Sequence, residues 1–347
     1  MPAQVIDLFC GVGGLTRGLK NAGLNVIAGF DIDDTCKYTY EHNNNTKYHL
    51  RDIREVTADE IIRLYDENSI QILVGCAPCQ PFSQMRFKLG DANINDEKYN
   101  LLLEFGRLIQ ETNPTIISME NVPQIEDTNV FAAFLEILNN LGYNLDYHVI
   151  YCPDYGIPQT RRRFVLVGSL LGPIQIIPPT HDRQNIHVKD YIYNLPHISA
   201  GETDTNDPLH RSASLSDINL KRIRYSKPGG TWKDWPAELR CNCHKKASGK
   251  TYCSVYGRMT WEQIGPTITT QFYNYGTGRY GHPEQDRALS LREGAILQTF
   301  PPNYDFIDPN KKIVFSDIAR HIGNAVPVKL GEVIGRTINQ HLLQHDV

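Results

Sequence analysis

The sequence predicts an α/β protein: an open, doubly wound sheet in its first half, followed by a smaller, irregular and β-rich unit. Three observations carry this. Over the first 170 residues short apolar runs alternate with amphipathic stretches, the pattern of strands joined by crossover helices. A glycine turn, Gly11-Val12-Gly13-Gly14, closes the first run and opens a helix. After Gly168 the texture changes, because Pro173, Pro178, Pro179, Pro196 and Pro208 punctuate the chain and helical periodicity fades.

The elements follow in order. Val5 to Phe9 reads as a buried strand, and Leu15 and Leu19 mark a helix stopped at Ala22-Gly23. Asn25 to Phe30 and Ile70 to Val74 are further strands, the latter ending at Gly75. A long helix covers Leu101 to Gln110 and is closed by Asn113-Pro114. Thr115 to Ser118, Leu145 to Val149 and Phe164 to Val167 complete the strands, with helical Phe131 to Leu141 among them. Helical order returns at Leu291 to Thr299 and Val328 to Leu343. These limits divide the chain into a first domain over residues 1–175, a second over 176–315, and a C-terminal helix over 316–347 that returns to the first.

The chain has 347 residues, 41% apolar and 21% charged, which suits a soluble globular protein with a sizeable core. No apolar run approaches the ~20 residues of a membrane-spanning helix. Met1-Pro2-Ala3-Gln4 leads directly into an apolar segment without a basic stretch, so no signal peptide is expected. Eight scattered cysteines fit a reducing cytoplasm better than a disulfide scaffold. The net charge of −4 argues weakly against a nucleic-acid partner, but it is an average. Residues 1–157 hold 11 Lys/Arg against 22 Asp/Glu, whereas residues 205–260 hold 11 against 4. A local excess of +7 in an acidic protein suggests either an anion-binding face or a solvated lysine-rich surface.

The turn Gly11-x-Gly13-Gly14 lets the backbone approach a ligand and exposes N–H groups at a helix start. The dinucleotide fingerprint needs a third glycine at position 16, where this chain has Thr16. Asp31, ending the second strand, can accept from ribose hydroxyls. A ribose-bearing cofactor without a pyrophosphate therefore fits better than NAD, although such a turn can also serve packing alone.

Gly75-Cys76-Ala77-Pro78-Cys79-Gln80-Pro81-Phe82-Ser83 lies past the C-terminal end of a strand, where open α/β sheets keep their ligands. Two prolines stiffen the loop around Cys79, which can act as a thiolate nucleophile or pack as a small apolar residue. Cys76, nearer the strand, suits the packing role. Ile116 to Val122 repeats the layout and ends in Glu120-Asn121. A carboxyl there can engage a heterocycle nitrogen, cap a helix or join a salt bridge.

Together these segments resemble the cytosine-C5 DNA methyltransferases of restriction–modification systems, which use S-adenosylmethionine. Asp7-Leu8-Phe9-Cys10-Gly11-Val12-Gly13-Gly14-Leu15 is similar to the family's cofactor motif, Pro78-Cys79-Gln80 to its nucleophile motif and Glu120-Asn121-Val122 to its acid motif. Gln159-Thr160-Arg161-Arg162-Arg163 resembles its Q-x-R-x-R motif, Arg287 to Glu293 with Leu297 to Pro301 its ninth, and Gly323-Asn324-Ala325-Val326-Pro327 its last. The order is the family's, and residues 175–285 fall in its variable region.

The resemblance implies a Rossmann-like methyltransferase sheet and residue roles. Phe9 stacks on the cofactor adenine and Ile32 joins it. Gly11, Gly13, Gly14 and Leu15 form the turn. Asp31 replaces the family's usual Glu on the ribose, one methylene shorter. Asp52 and Ile53 read the adenine edge, and Cys76, Pro78, Leu101, Asn324 and Val326 complete the cofactor pocket. Cys79 is the implied nucleophile at cytosine C6, Glu120 engages N3 and N4, Arg163 reaches O2, and Arg161 supports the site. The implied substrate is a cytosine flipped out of a duplex, with Gly90 to Asp96 as a closing loop.

Residues 175–285 are then the expected target-recognition region. Cations there, with Tyr225, Trp232, Trp235, Tyr252 and Tyr256 between them, suit contacts to double-stranded DNA. Ser83, Arg224, Lys227, Arg258 and Arg279 are the expected DNA contacts, and Gly229-Gly230 and Gly276-x-Gly278 the recognition loops. Cys241-x-Cys243-His244 with Cys253 departs from standard zinc spacing, so packing thiols and no metal are expected. A monomer, paired genetically with a restriction endonuclease, completes the reading. The rival readings are a tRNA cytosine-C5 methyltransferase, a non-catalytic DNA-binding paralogue and, more remotely, an NAD oxidoreductase.

Overall fold

The computed structural model describes residues 2–78, 100–246, 249 and 251–346. The chain forms two compact units: Met1–Tyr155, Arg162–Thr180 and Ala325–Val347 make the first, and Gly156–Arg161 with His181–Asn324 the second.

The first unit is built on a seven-stranded sheet of order β3-β2-β1-β4-β5-β7-β6. The strands are β1 Ala3–Leu8, β2 Asn25–Asp31, β3 Lys47–Leu50, β4 Ile70–Gly75, β5 Ile116–Asn121, β6 Asn144–Tyr151 and β7 Arg162–Ser169. The first five pair parallel. β7 runs antiparallel to both β5 and β6. The start of β7 therefore meets the end of β5, and both lie at the edge where β1, β2 and β4 finish. β1, β4 and β5 read as continuous apolar runs because both of their faces are covered. Ile6, Leu8, Leu73, Ile117 and Phe164 anchor that core with Phe105 of helix Leu101–Thr112 and Phe134 of helix Asn129–Asn140.

Five elements are longer than the sequence implied or not implied by it. β5 runs on past Ser118 through Asn121, because Glu120 and Asn121 pair with Val165 and Phe164 of β7. β3 and the helix Lys37–Asn44 are largely polar segments without an apolar period, and the helix Ala58–Ile62 is too short to show one. The C-terminal stretch is two helices, Phe315–Asn324 in the second unit and Val328–Gln344 in the first. The latter returns to helix Gly14–Asn21, so closely that a methyl group on Gly18 would collide with the Val328 carbonyl.

The second unit carries the helices Lys189–Ile192, Asp217–Tyr225, Asn242–Lys245 and Leu291–Leu297. Among its described residues the expected β content takes the form of isolated bridges, such as Pro228 with Arg258 and Arg258 with Gly281. Ile223, Trp232, Trp235, Leu239, Tyr275 and Ala288 form an apolar cluster of their own. No described helix is long and apolar enough to cross a membrane, and no disulfide joins the described cysteines.

Candidate active site

The turn after β1 is strained and polar in a defined way. Phe9, Gly11 and Gly13 take positive φ angles of 59°, 50° and 85°. The left-handed backbone suits the glycines and is costly at Phe9, the kind of strain that clusters at ligand sites. Asp31 clamps the turn: its Oδ2 accepts the Gly11 N–H at 2.8 Å, and its Oδ1 accepts the Asp33 N–H at 3.0 Å. Burial raises its carboxyl above the usual carboxylate range. Asp7 is fully buried and accepts from Thr16 Oγ1 at 2.6 Å. Burial pushes its carboxyl up to about 7. Between them Cys10 is also buried, and burial with both carboxylates drives its thiol upward.

Open surface lies beside this turn. A Cβ on Gly11 would meet nothing within 4 Å. Ile32, next to the clamping carboxylate, is 65% exposed, unusual for a large apolar side chain beside buried polar groups. Asp52 caps the turn Ile53–Glu55, and the Arg54 guanidinium holds its carboxyl below the usual range. Ile53, Gly14, Leu15 and Val326 are buried, whereas Cys76, Pro78 and Leu101 are half-buried. A backbone-lined gap, an exposed apolar face and a carboxylate beside them fit an adenosine-type ligand.

The second part of the site stands at the ends of β4 and β5 and the start of β7. Glu120 is 3% exposed. The Cys76 thiol donates to its Oε2 at 2.7 Å. Arg163 Nε lies 2.8 Å from its Oε1. Asn121, part of the acid motif but given no role of its own by the sequence, donates from Nδ2 to Ala77 O at 3.2 Å and accepts the Val122 N–H at Oδ1 at 2.8 Å. It fixes the segment leading into Pro78, and its adjacency to Glu120 at a strand end was the available signal. Cys79, Ser83 and the Gly90–Asp96 segment lie outside the described residues.

Arg163 is the second residue of β7 in the first unit, while Arg161 belongs to the second, where it is buried and donates to Ile268 O at 2.9 Å. Gln159 of the same motif donates to Leu297 O at 3.0 Å and Gln298 Oε1 at 2.7 Å, and accepts the Ile268 N–H at 3.0 Å. These contacts make Gln159 and Arg161 internal braces of the second unit. Asn324 is an exposed residue at the end of helix Phe315–Asn324.

Of the expected DNA contacts in the second unit, Arg224 and Lys227 are exposed. Arg224 pairs loosely with Asp286 at 3.4 Å. Arg258, unlike them, is buried and donates to Glu284 O, Ile223 O and Asp286 Oδ1 at 2.7–2.9 Å. A guanidinium so engaged braces the fold of the second unit. Arg279 is half-buried and donates to Gly230 O at 2.8 Å. Deeper in the unit Arg287 and Glu293, both fully buried, pair through two 2.7 Å hydrogen bonds.

Comparison with known proteins gives the same picture. The family model described as C-5 cytosine-specific DNA methylase matches residues 3–340. The Type II methylase M.HgiDII of Herpetosiphon aurantiacus is 53% identical over 99% of this chain and 96% of its own length. The Type II methyltransferase M1.HphI of Haemophilus parahaemolyticus is 31% identical, covering 97% of this chain and 87% of its own. Among solved structures, the Entamoeba histolytica methyltransferase EhMeth superposes with a TM-score of 0.68 at 18% identity, covering 99% of both chains, which speaks to the fold.

Proposed function

The chain belongs to the C-5 cytosine-specific DNA methylase family and is a DNA (cytosine-5)-methyltransferase, and from that premise we propose that it methylates a flipped-out cytosine within a short duplex site through a covalent Cys79–C6 adduct. The observation that carries the proposal is the Cys76–Glu120–Arg163 array at one sheet edge beside the glycine turn. The likeness to a Type II methylase supports a restriction–modification setting, and a monomer paired with a cognate endonuclease belongs to the same proposal.

Attack of the Cys79 thiolate at C6 pushes electron density onto the pyrimidine ring. Glu120 meets the developing charge at N3, and Arg163, fixed against it, serves O2. S-adenosylmethionine, when bound, supplies the electrophilic methyl group. In the first unit Phe9 and Ile32 would hold its adenine, Asp31 its ribose, and Gly11, Gly13 and Gly14 its backbone approach. Gly14, Leu15, Asp52, Ile53, Cys76, Pro78, Leu101 and Val326 complete the proposed surroundings. Loss of the C5 proton to a base then releases Cys79. In the second unit the exposed Arg224 and Lys227 would meet phosphates.

A duplex carrying 5-fluorocytosine at the target tests this. In the presence of S-adenosylmethionine it should trap a covalent adduct that Cys79→Ser abolishes. Label transfer to tRNA and not to duplex DNA would overturn the choice of substrate.

A further inference from the structure

The second unit holds a group of side chains that methyl transfer leaves unused. Cys241, Cys243 and His244 bring two sulfur atoms and an imidazole nitrogen within 4.8 Å of one another. Their sequence spacing departs from the usual C-x2–4-C, but the short helix Asn242–Lys245, capped by Cys241, folds them together. Packing does not explain the set, because Cys243 is exposed.

The imidazole is fixed and poorly satisfied. It is buried and stacks on Trp232 at 4.1 Å with 14° between the planes. Its Nδ1 accepts the Cys241 N–H only at 3.3 Å. Its Nε2 is buried and has no hydrogen-bond partner among the described residues. A buried nitrogen so placed asks for a partner, and a cation is one that two neighbouring thiols would share. Trp232 also donates to Tyr252 O at 2.9 Å, so the indole that stacks on His244 holds the residue preceding Cys253.

We propose that Cys241, Cys243 and His244 bind a zinc-class divalent cation. Sulfur and imidazole donors select such soft-tolerant ions over magnesium or calcium. Binding replaces the thiol protons, which pass to solvent, and forms metal–sulfur and metal–nitrogen bonds without redox change. It would tie Cys241, Cys243 and His244 to the apolar cluster around Trp232 and Trp235, in a unit with little regular structure to hold them.

The test uses the full, reduced chain without a histidine tag, dialysed against zinc and then against metal-free buffer. Elemental analysis should give one zinc per chain. Cobalt(II) in its place should give tetrahedral d–d bands and thiolate charge-transfer absorption. Cys243→Ser, at an exposed position, should keep the wild-type circular dichroism, take one thiolate out of the cobalt spectrum and weaken zinc binding by more than about a hundredfold, beyond the roughly 10–100-fold that losing a group behind a ligand costs. The proposal fails if the wild-type chain retains no zinc and gives no cobalt bands, or if Cys243→Ser binds as tightly. Should Cys243→Ser not fold, the cobalt spectrum of the wild-type chain alone decides.

Discussion

Arg163 Nε lies 2.8 Å from Glu120 Oε1 across two antiparallel strands. Glu120 pairs directly with Val165, so Arg163 occupies the diagonal position on the same face. The pair is nearly buried, with side-chain exposures of 14% and 3%. Neither group is therefore an ordinary surface charge. Glu120→Gln is near-isosteric and keeps a carbonyl toward Arg163, so the fold should survive. It should lower kcat by roughly 10²–10⁴-fold, the usual range for losing an acid–base group. Steady-state methylation with a parallel DNA-binding measurement checks it; unchanged kcat would remove Glu120 from the chemistry.

Cys76 is a positioning residue in the same array, since its thiol donates to Glu120 Oε2 at 2.7 Å. Cys76→Ser keeps a donor, whereas Cys76→Val removes it at similar volume. A single hydrogen bond is worth about 0.5–1.5 kcal/mol net, so the valine variant should lose up to about tenfold in kcat and the serine variant much less. KM for DNA should be nearly unchanged in both. Equal losses in the two variants would mean that Cys76 only packs.

How much of this was legible in the sequence depends on what each residue does. The strand ends were readable because parallel strands buried on both faces carry unbroken apolar runs, and their carboxyl edges hold the polar exceptions Asp31 and Glu120. β3 was missed because Lys47–Leu50 is polar and stands at the edge of the sheet. The cysteines at 241 and 243 read as packing thiols in sequence, because C-x-C-H spacing says nothing of the cap that brings them beside His244. Arg224 and Arg258 look alike in sequence, yet one is exposed and the other buried, since only tertiary packing decides which cation finds internal acceptors.

That contrast predicts two kinds of arginine variant. Arg224→Ala and Lys227→Ala should each weaken DNA binding and reduce the salt slope by about 0.9, the value for one phosphate contact on duplex DNA. Thermal stability should change little. Arg258→Met should instead lower stability by roughly 1–3 kcal/mol, because the Glu284 and Ile223 carbonyls lose their donor, while Asp286 is exposed enough to be solvated. Fluorescence anisotropy across a salt series and urea denaturation separate the cases. A stable Arg258→Met chain with a reduced salt slope would return Arg258 to the DNA surface.

The last prediction concerns pH and the cofactor turn. Asp7 is fully buried and its folded carboxyl titrates at about 7, against about 3.9 for an unfolded chain. Between those values the unfolded chain is ionised while the folded one keeps its proton, so this group favours folding most below about pH 4. Its contribution is lost as pH rises toward 7, by at most about 1.4 kcal/mol per unit. Asp7→Asn cannot ionise and should remove that slope. Urea denaturation from pH 4 to pH 7 should show wild-type stability falling relative to the variant, and the gap should stop growing above pH 7. Parallel curves would mean that Asp7 is already charged in the fold, with Thr16 and its surroundings compensating the buried carboxylate.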